Sequence, residues 1–287
     1  MKPPVFDYVA PATVAEVLTL LAGADREVKV LAGGQSLIPM LNMRLARPEV
    51  LVDVGGVGEL AELRVDERGW LRVGAAVRQA TAEHAPEVRD DWPLLAEAIG
   101  RIGHPQIRNR GTVGGSLAHH DPAAELPAAA VAMDAELVIA GPAGTRTVPA
   151  AEFFVSTFQT VLEPDEVLVE IGFPPCTGDG WAFAELARRH GDFATIGVAV
   201  RLRPRGGRIA EARVVFCGAG ATPVRVQDAE QALIGELEAQ SSWEAAGEQV
   251  RRTLEPPDDV HATGAYRRET AVVLLGQAIH QAGQRCE

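Results

Sequence analysis

Apolar residues fall in two rhythms along this chain. Near the start, Val14, Val17, Leu18 and Leu21 recur at helical spacing and share one helix face. Thr13 and Glu16 have the spacing of a capping box, and Gly23 can stop the helix. Val28 to Ala32 then predicts a short buried strand. Pro39 limits "LIPMLNMRL" to a brief helical piece, and Val50 to Val54 predicts a second strand. These segments make a small α/β unit over residues 1–57.

A second unit is expected over residues 58–175. Arg72 to Val77 predicts a strand. Pro93 suits the first turn of a helix whose apolar face is Leu94, Leu95, Ala98, Ile99 and Ile102. Leu126 to Met133 predicts another helix. Leu137 to Ile139 and Thr145 to Val148 flank Gly141-Pro142-Ala143-Gly144 in a hairpin pattern, and Val167 to Phe173 is a strand ended by Pro174-Pro175. "PPCTGDG", Pro174 to Gly180, has the composition of a linker.

Residues 179–287 read as strands followed by helices, an α+β arrangement. Trp181 to Leu186, Thr195 to Arg203 and Ile209 to Phe216 predict three antiparallel strands, with Arg205-Gly206-Gly207 turning the second into the third. Helices are expected around Val224 to Ile234, Trp243 to Leu254 and Tyr266 to Ile279.

Composition narrows the function classes. The chain has 287 residues, 47% of them hydrophobic, enough for two or three domains with real cores. Its formal net charge is −12. Nucleic-acid binding needs clustered basic residues, and the arginines at 201, 203, 205 and 208 read as a solvated rim around a turn, so no nucleic-acid partner is expected. "MKPPVFDYVAPATV" lacks a continuous apolar core, and no stretch reaches the ~18 apolar residues of a membrane span. A cytoplasmic chain without a transmembrane segment is the expectation. Cys176, Cys217 and Cys286 are widely spaced. They form no disulfide framework, and an iron–sulfur cluster usually takes four thiolates.

Two glycine motifs carry the candidate chemistry. "VLAGGQSLIPML", Val30 to Leu41, leads from a strand into Gly33-Gly34-Gln35-Ser36, and "NRGTVGGSLAHHDPAAELP", Asn109 to Pro127, repeats the pattern at Gly114-Gly115-Ser116. Glycine lets a ligand approach the backbone closely, and successive N–H groups in such turns form anion nests. Two facing loops would grip a pyrophosphate without Lys or Arg. Each motif taken alone is also what an ordinary tight turn looks like; together, with Asp121 and Glu125 following the second, they point to a nucleotide-like ligand. Gly218-Ala219-Gly220 is followed by Pro223 where a dinucleotide fingerprint has its third glycine, and no P-loop is present. His119-His120-Asp121 lacks the spacing of a metal site.

At these residues the chain resembles the flavin-binding medium subunit of molybdenum hydroxylases, the group of carbon monoxide dehydrogenase and xanthine dehydrogenase. "AGGQSLIPMLNMRLARP" and "IGHPQIRNRGTVGGSLAHHDPAAELP" carry the likeness, together with "FAELARRHGDFATIGVAV" and "YRRETAVVLL". The resemblance implies an α+β fold: the two-lobed FAD-binding fold of vanillyl-alcohol oxidase (PCMH type), plus a C-terminal domain of three-stranded sheet and helices. It implies that Ala32, Gly33, Gly34, Gln35 and Ser36 hold the FAD pyrophosphate from one side, and Thr112, Val113, Gly114, Gly115 and Ser116 from the other. Ile102 would pack near the flavin, Asp121 and Glu125 would face the ribitol and ribose, and Leu168 would pack by the adenine or ring system. No residue of this chain acts as base or nucleophile in that scheme.

The implied partners are a small [2Fe-2S] subunit and a large molybdopterin subunit, in a dimer of heterotrimers. Electrons would pass from the partner's cluster through FAD to quinone, NAD or O2. Several relatives place a Lys near Ala184 or Glu185, and this chain has none there, although Arg188 or Arg189 stand close by in sequence. The rival readings are a stand-alone reductase like the UDP-N-acetylenolpyruvylglucosamine reductases, against which "HPQIRNR" replaces their Gly-Ile-Pro-Gly turn, and a flavin-free scaffold domain.

Overall fold

The computed structural model describes residues 2–23, 26–236 and 240–286. Strands β1 (Asp7–Val9), β2 (Val28–Leu31) and β3 (Val50–Asp53) form a parallel sheet in the order β1-β3-β2. Helix α1 (Val14–Ala22) crosses over from β1 to β2. Its capping box is formed: Glu16 N–H donates to Thr13 Oγ1 at 3.2 Å, and Ala12 N–H donates to Glu16 Oε2 at 2.7 Å. Helix α2 (Leu37–Asn42) is the brief piece that Pro39 allows. This lobe does not close its own core. Val17, Leu21, Val52, Val54 and Leu60 pack with Ala76, Ala140 and Val167 of the next unit.

The second lobe begins with β4 (Leu63–Val65) and β5 (Leu71–Gly74). The expected strand Arg72 to Val77 stops at Gly74, because Val77 N–H turns back onto Gly74 O at 3.0 Å. Six helices follow: α3 (Gln79–His84), α4 (Pro86–Asp91), α5 (Pro93–Arg101), α6 (Pro105–Arg108), α7 (Val113–His119) and α8 (Glu125–Ala132). The predicted hairpin is β6 (Glu136–Gly141) with β7 (Gly144–Pro149). After α9 (Ala150–Phe153), β8 (Phe154–Ser156) and β9 (Gln159–Thr160) pair with each other, and β10 (Val167–Phe173) enters the centre of an antiparallel sheet ordered β4-β5-β10-β6-β7.

The C-terminal unit has three long antiparallel strands, β11 (Gly180–Ala187), β12 (Ala194–Arg205) and β13 (Arg208–Cys217). Two short strands join them, so the sheet has five rather than three. Val224 and Arg225, expected in a helix, form β14 (Val224–Arg225) against Val215 and Phe216, and β15 (Gly235–Glu236) pairs with the start of β13. Helix α10 (Gln227–Leu233) starts only after this edge pairing, with Arg225 clamped to Glu230 at 2.7 Å. Helices α11 (Gln240–Thr253) and α12 (Gly264–Gln284) complete the unit.

Both faces of this sheet are buried, which explains the near-continuous apolar run of β12. Ile196, Val198, Val200 and Leu202 pack against the helices, among them Leu275 and Ile279. Phe183, Ala199, Val215 and Cys217 face the second lobe and join its core. The segment read as a linker is anchored. Asp179 is buried, 3.4 Å from Arg201 and 3.2 Å from Arg203, and Arg201 reaches Asp134 of the second lobe at 2.8 Å. Burial lifts the Asp179 carboxyl above its ordinary range despite its two arginines, so desolvation outweighs pairing here.

Removing Asp179 leaves buried Arg201 with Asp134 as its remaining carboxylate partner. Asp179→Ala is expected to lower stability by about 3 kcal/mol, the cost of breaking a buried pair. The double variant Asp179→Ala, Arg201→Met recovers part of that loss, and a urea-unfolding double-mutant cycle with the single variant Arg201→Met measures the coupling.

Candidate cofactor-binding site

The first glycine motif sits where β2 ends and α2 begins. Val54 N–H takes Leu31 O at 2.9 Å, which pins the strand end and leaves Ala32 to Ser36 as a free-standing loop. Gly34 has φ 73°, a left-handed conformation that a side chain disfavours. Gly33 lies against the second lobe, and a Cβ there would stand 2.6 Å from Arg110 O and 2.7 Å from Gly111 Cα. Gln35 Nε2 braces the turn by donating to Gly33 O at 3.1 Å. Among the described residues, no acceptor takes the N–H groups of Gly33, Gly34, Gln35 or Ser36. Four consecutive donors are unspent.

The second motif is different. Thr112 caps α7, and every N–H that follows it is committed. Val113 donates to Val77 O at 3.0 Å, Gly114 to Ala75 O at 3.0 Å, Gly115 to Thr112 Oγ1 at 3.0 Å and Ser116 to Thr112 O at 3.2 Å. The sequence-based picture of two equivalent N–H nests therefore fails for these four residues. Val113 differs from its neighbours. Its side chain is fully buried in the second lobe's core, and it does not line the cavity. What the motif supplies is proximity: a Cβ at Gly115 would be 3.4 Å from the Ala32 Cβ, so the two motifs are in contact.

Between them lies a cavity of about 1040 Å³, at the upper end of the ~300–1,000 Å³ typical of ligand clefts. Ala32, Gly33, Gly34, Gln35, Ser36, Ile102, Thr112, Gly114, Gly115, Ser116, Asp121, Glu125 and Leu168 all line it. So do His119, weighed above as a metal ligand, and residues that the sequence did not single out, including Lys29, Gln79, Phe158 and Phe193. Phe158 and Phe193 are 57% and 60% exposed; large aromatics left open at a cavity mouth are a signal, but exposure is invisible in a sequence. A second cavity of about 650 Å³ adjoins the first loop, sharing Ala32 to Gln35 and adding Tyr8, Asp53, Arg78 and Arg110.

The cavity's charge pattern is unusual. Glu125, at the start of α8, is 3% exposed, and burial pushes its carboxyl up to about 8, helped by Glu185 and Asp121. Burial also lifts Glu185 to about 7, against the pull of Arg101. Glu185 Oε2 is buried without a hydrogen-bond partner. Burial pushes the His119 imidazole down, so it stays uncharged more readily. Arg188 and Arg189 are exposed and do not line the cavity. Ala184 packs on the helix side of the third sheet.

Both carboxyl shifts are upward. Between about pH 4.5 and about pH 8 the folded chain therefore holds protons that the unfolded chain has already released, and this stability is full below that window and lost as pH rises through it. The slope approaches about 1.4 kcal/mol per pH unit for each proton retained. Glu125→Gln is expected to flatten it in the cofactor-free chain, as read from thermal midpoints across the window.

Comparison with known proteins agrees with this geometry. Residues 4–176 match the family model described as the FAD binding domain in molybdopterin dehydrogenase, and residues 181–282 match the CO dehydrogenase flavoprotein C-terminal domain. The 6-hydroxypseudooxynicotine dehydrogenase complex subunit alpha of Paenarthrobacter nicotinovorans is 40% identical over 98% of this chain and 97% of its own. The carbon monoxide dehydrogenase medium chain of Hydrogenophaga pseudoflava is 38% identical over the whole of both chains. A solved carbon monoxide dehydrogenase from Hydrogenophaga pseudoflava superposes with a TM-score of 0.97 over 100% of both chains at 39% identity. With matches that span its whole length, the chain belongs to the FAD-binding medium subunits of the molybdopterin dehydrogenases.

Proposed function

We propose that this chain is the flavoprotein subunit of a molybdenum hydroxylase and that the contact between its two glycine motifs is where FAD is held. The unspent N–H groups of Gly33, Gly34, Gln35 and Ser36 carry the reading. Donors with no protein acceptor, on the wall of a cavity large enough for a dinucleotide, fit a diphosphate. Thr112, Gly114, Gly115 and Ser116 bring the opposite wall close, with hydroxyls rather than N–H groups to offer. Ile102 and Leu168 supply apolar walls, and Asp121 and Glu125 supply polar contacts to hydroxyl groups of the cofactor.

Bound FAD supplies the redox chemistry, because it exchanges electrons both singly and in pairs. The chain's own task is to bind it, orient it and shield it. No general base or nucleophile is needed. The three free cysteines are too few for a four-thiolate cluster, and Cys217 is buried. The other redox centres therefore come from partners, which we assign as a small [2Fe-2S] subunit and a large molybdopterin subunit in a dimer of heterotrimers. Free thiols suit the reducing cytoplasm as the setting. Whole-length likeness to medium chains favours this reading over a stand-alone reductase.

Gly34→Val forces a side chain onto a left-handed residue and tilts the donor row. The variant, purified with added FAD, is expected to lose flavin affinity roughly tenfold or more, the equivalent of ~1.4 kcal/mol, while its circular dichroism stays that of the parent. Full flavin retention would refute the loop assignment. Co-expression with candidate partner subunits, followed by iron and molybdenum analysis of the purified complex, checks the assembly.

A further inference from the structure

Glu125 is out of place as an anion. Its side chain lines the cavity, is almost wholly buried and has no hydrogen-bond partner among the described residues beyond its own backbone N–H. The side-chain charges acting on it are negative, Asp121 from the loop before α8 and Glu185 from β11, with the buried Cys217 thiol of β13 nearby, while Lys29 and His119 line the same cavity and its place in the first turn of α8 sets it at that helix's N–H end. Arg101, at the end of α5, acts on Glu185 rather than on Glu125.

Glu185 is fixed behind it. It lies on the face of the third sheet that looks toward the second lobe, where β12 has a glycine. A Cβ at Gly197 would stand 3.3 Å from the Glu185 Cβ and 2.8 Å from Cys217 Sγ. The missing side chain is what admits the glutamate, and its Oε2 is left buried and unpartnered. A carboxylate in such a place costs several kcal/mol unless it is paired, and a dinucleotide diphosphate in the same cavity would repel it further. A neutral carboxylic acid has an O–H donor and an accepting oxygen, which suit a polyhydroxyl chain.

We propose, resting on the FAD reading above, that Glu125 meets the cofactor as a neutral carboxylic acid that donates its O–H into the cavity, with burial holding its proton in place and Glu185 as a positioning residue that reinforces it. The two carboxyls are coupled, and a negative charge on Glu185 opposes the ionisation of Glu125. Flavin binding is thereby tied to pH through two side chains of this chain.

The test uses the full chain and FAD itself. Infrared spectra of the cofactor-free protein near neutral pH should contain a protonated-carboxyl component that Glu125→Gln removes and Glu185→Gln leaves in place. FAD affinity, from quenching of flavin fluorescence, is then followed from about pH 6 to about pH 9, a range that spans both raised carboxyls. The unsubstituted chain should bind evenly up to about pH 7 and roughly tenfold more weakly by about pH 9. Glu125→Gln should bind evenly throughout. Glu185→Gln should begin to weaken at lower pH than the unsubstituted chain, whereas a merely structural Glu185 would lower affinity equally at every pH. An ionised Glu125 near neutral pH, a Glu125→Gln curve that follows the parent, or an unmoved Glu185→Gln midpoint overturns the inference. Binding that ignores pH defeats it alone, whereas no binding at any pH defeats the cofactor reading as well.

Discussion

The site depends on the close approach of two backbones at Gly33 and Arg110–Gly111. The first loop rests on the second lobe through a glycine that has no Cβ to hold it off. β2 and β3 hold the loop from behind and the second lobe holds it from the front, so residues whose N–H groups have no protein acceptor line the cavity. Buried backbone donors are normally paired in folded proteins, and Gly33 is buried while Gly34, Gln35 and Ser36 are half-buried. Here the rest of the structure is arranged so that their unpaired donors persist, and the natural account is an anionic ligand.

That arrangement needs both lobes and the third unit. The first lobe borrows Ala76, Ala140 and Val167 to close its core, and the second borrows Phe183, Ala199, Val215 and Cys217 from the C-terminal sheet. The three units are therefore not beads on a string. Their mutual burial sets the distance between the glycine motifs, and it also brings Glu185 up behind Glu125. The same packing that builds the cavity thus creates its electrostatic peculiarity, a buried Glu125 carboxyl with the half-buried Glu185 carboxyl acting on it.

Much of this was legible in the order of residues. The hairpin around Gly141 to Gly144, the three long C-terminal strands and the helix faces of α1 and α5 follow from periodicity and turn chemistry, which act over a few neighbouring positions. The short strands were not legible. β1 and β4 are three residues each, too brief for a pattern to form, and β14 exists because β13 offers an edge for Val224 and Arg225 to pair with. Val113 shows the same limit within a motif. Its neighbours face the cavity, yet its own side chain belongs to the core, and the N–H groups of 113 to 116 were already spent on Val77, Ala75 and Thr112.

The sequence by itself determined the local pieces and the chemistry available at each: glycines where close approach is needed, hydroxyls beside them, too few thiols for a cluster. Its motifs were long enough to identify the family, because they encode backbone geometry that few other residues can adopt. Only the tertiary structure decided which donors remain free, which residues share a wall, and which carboxyls lose their water. Those properties arise between segments far apart in the chain, through burial and contact, and no local pattern records them.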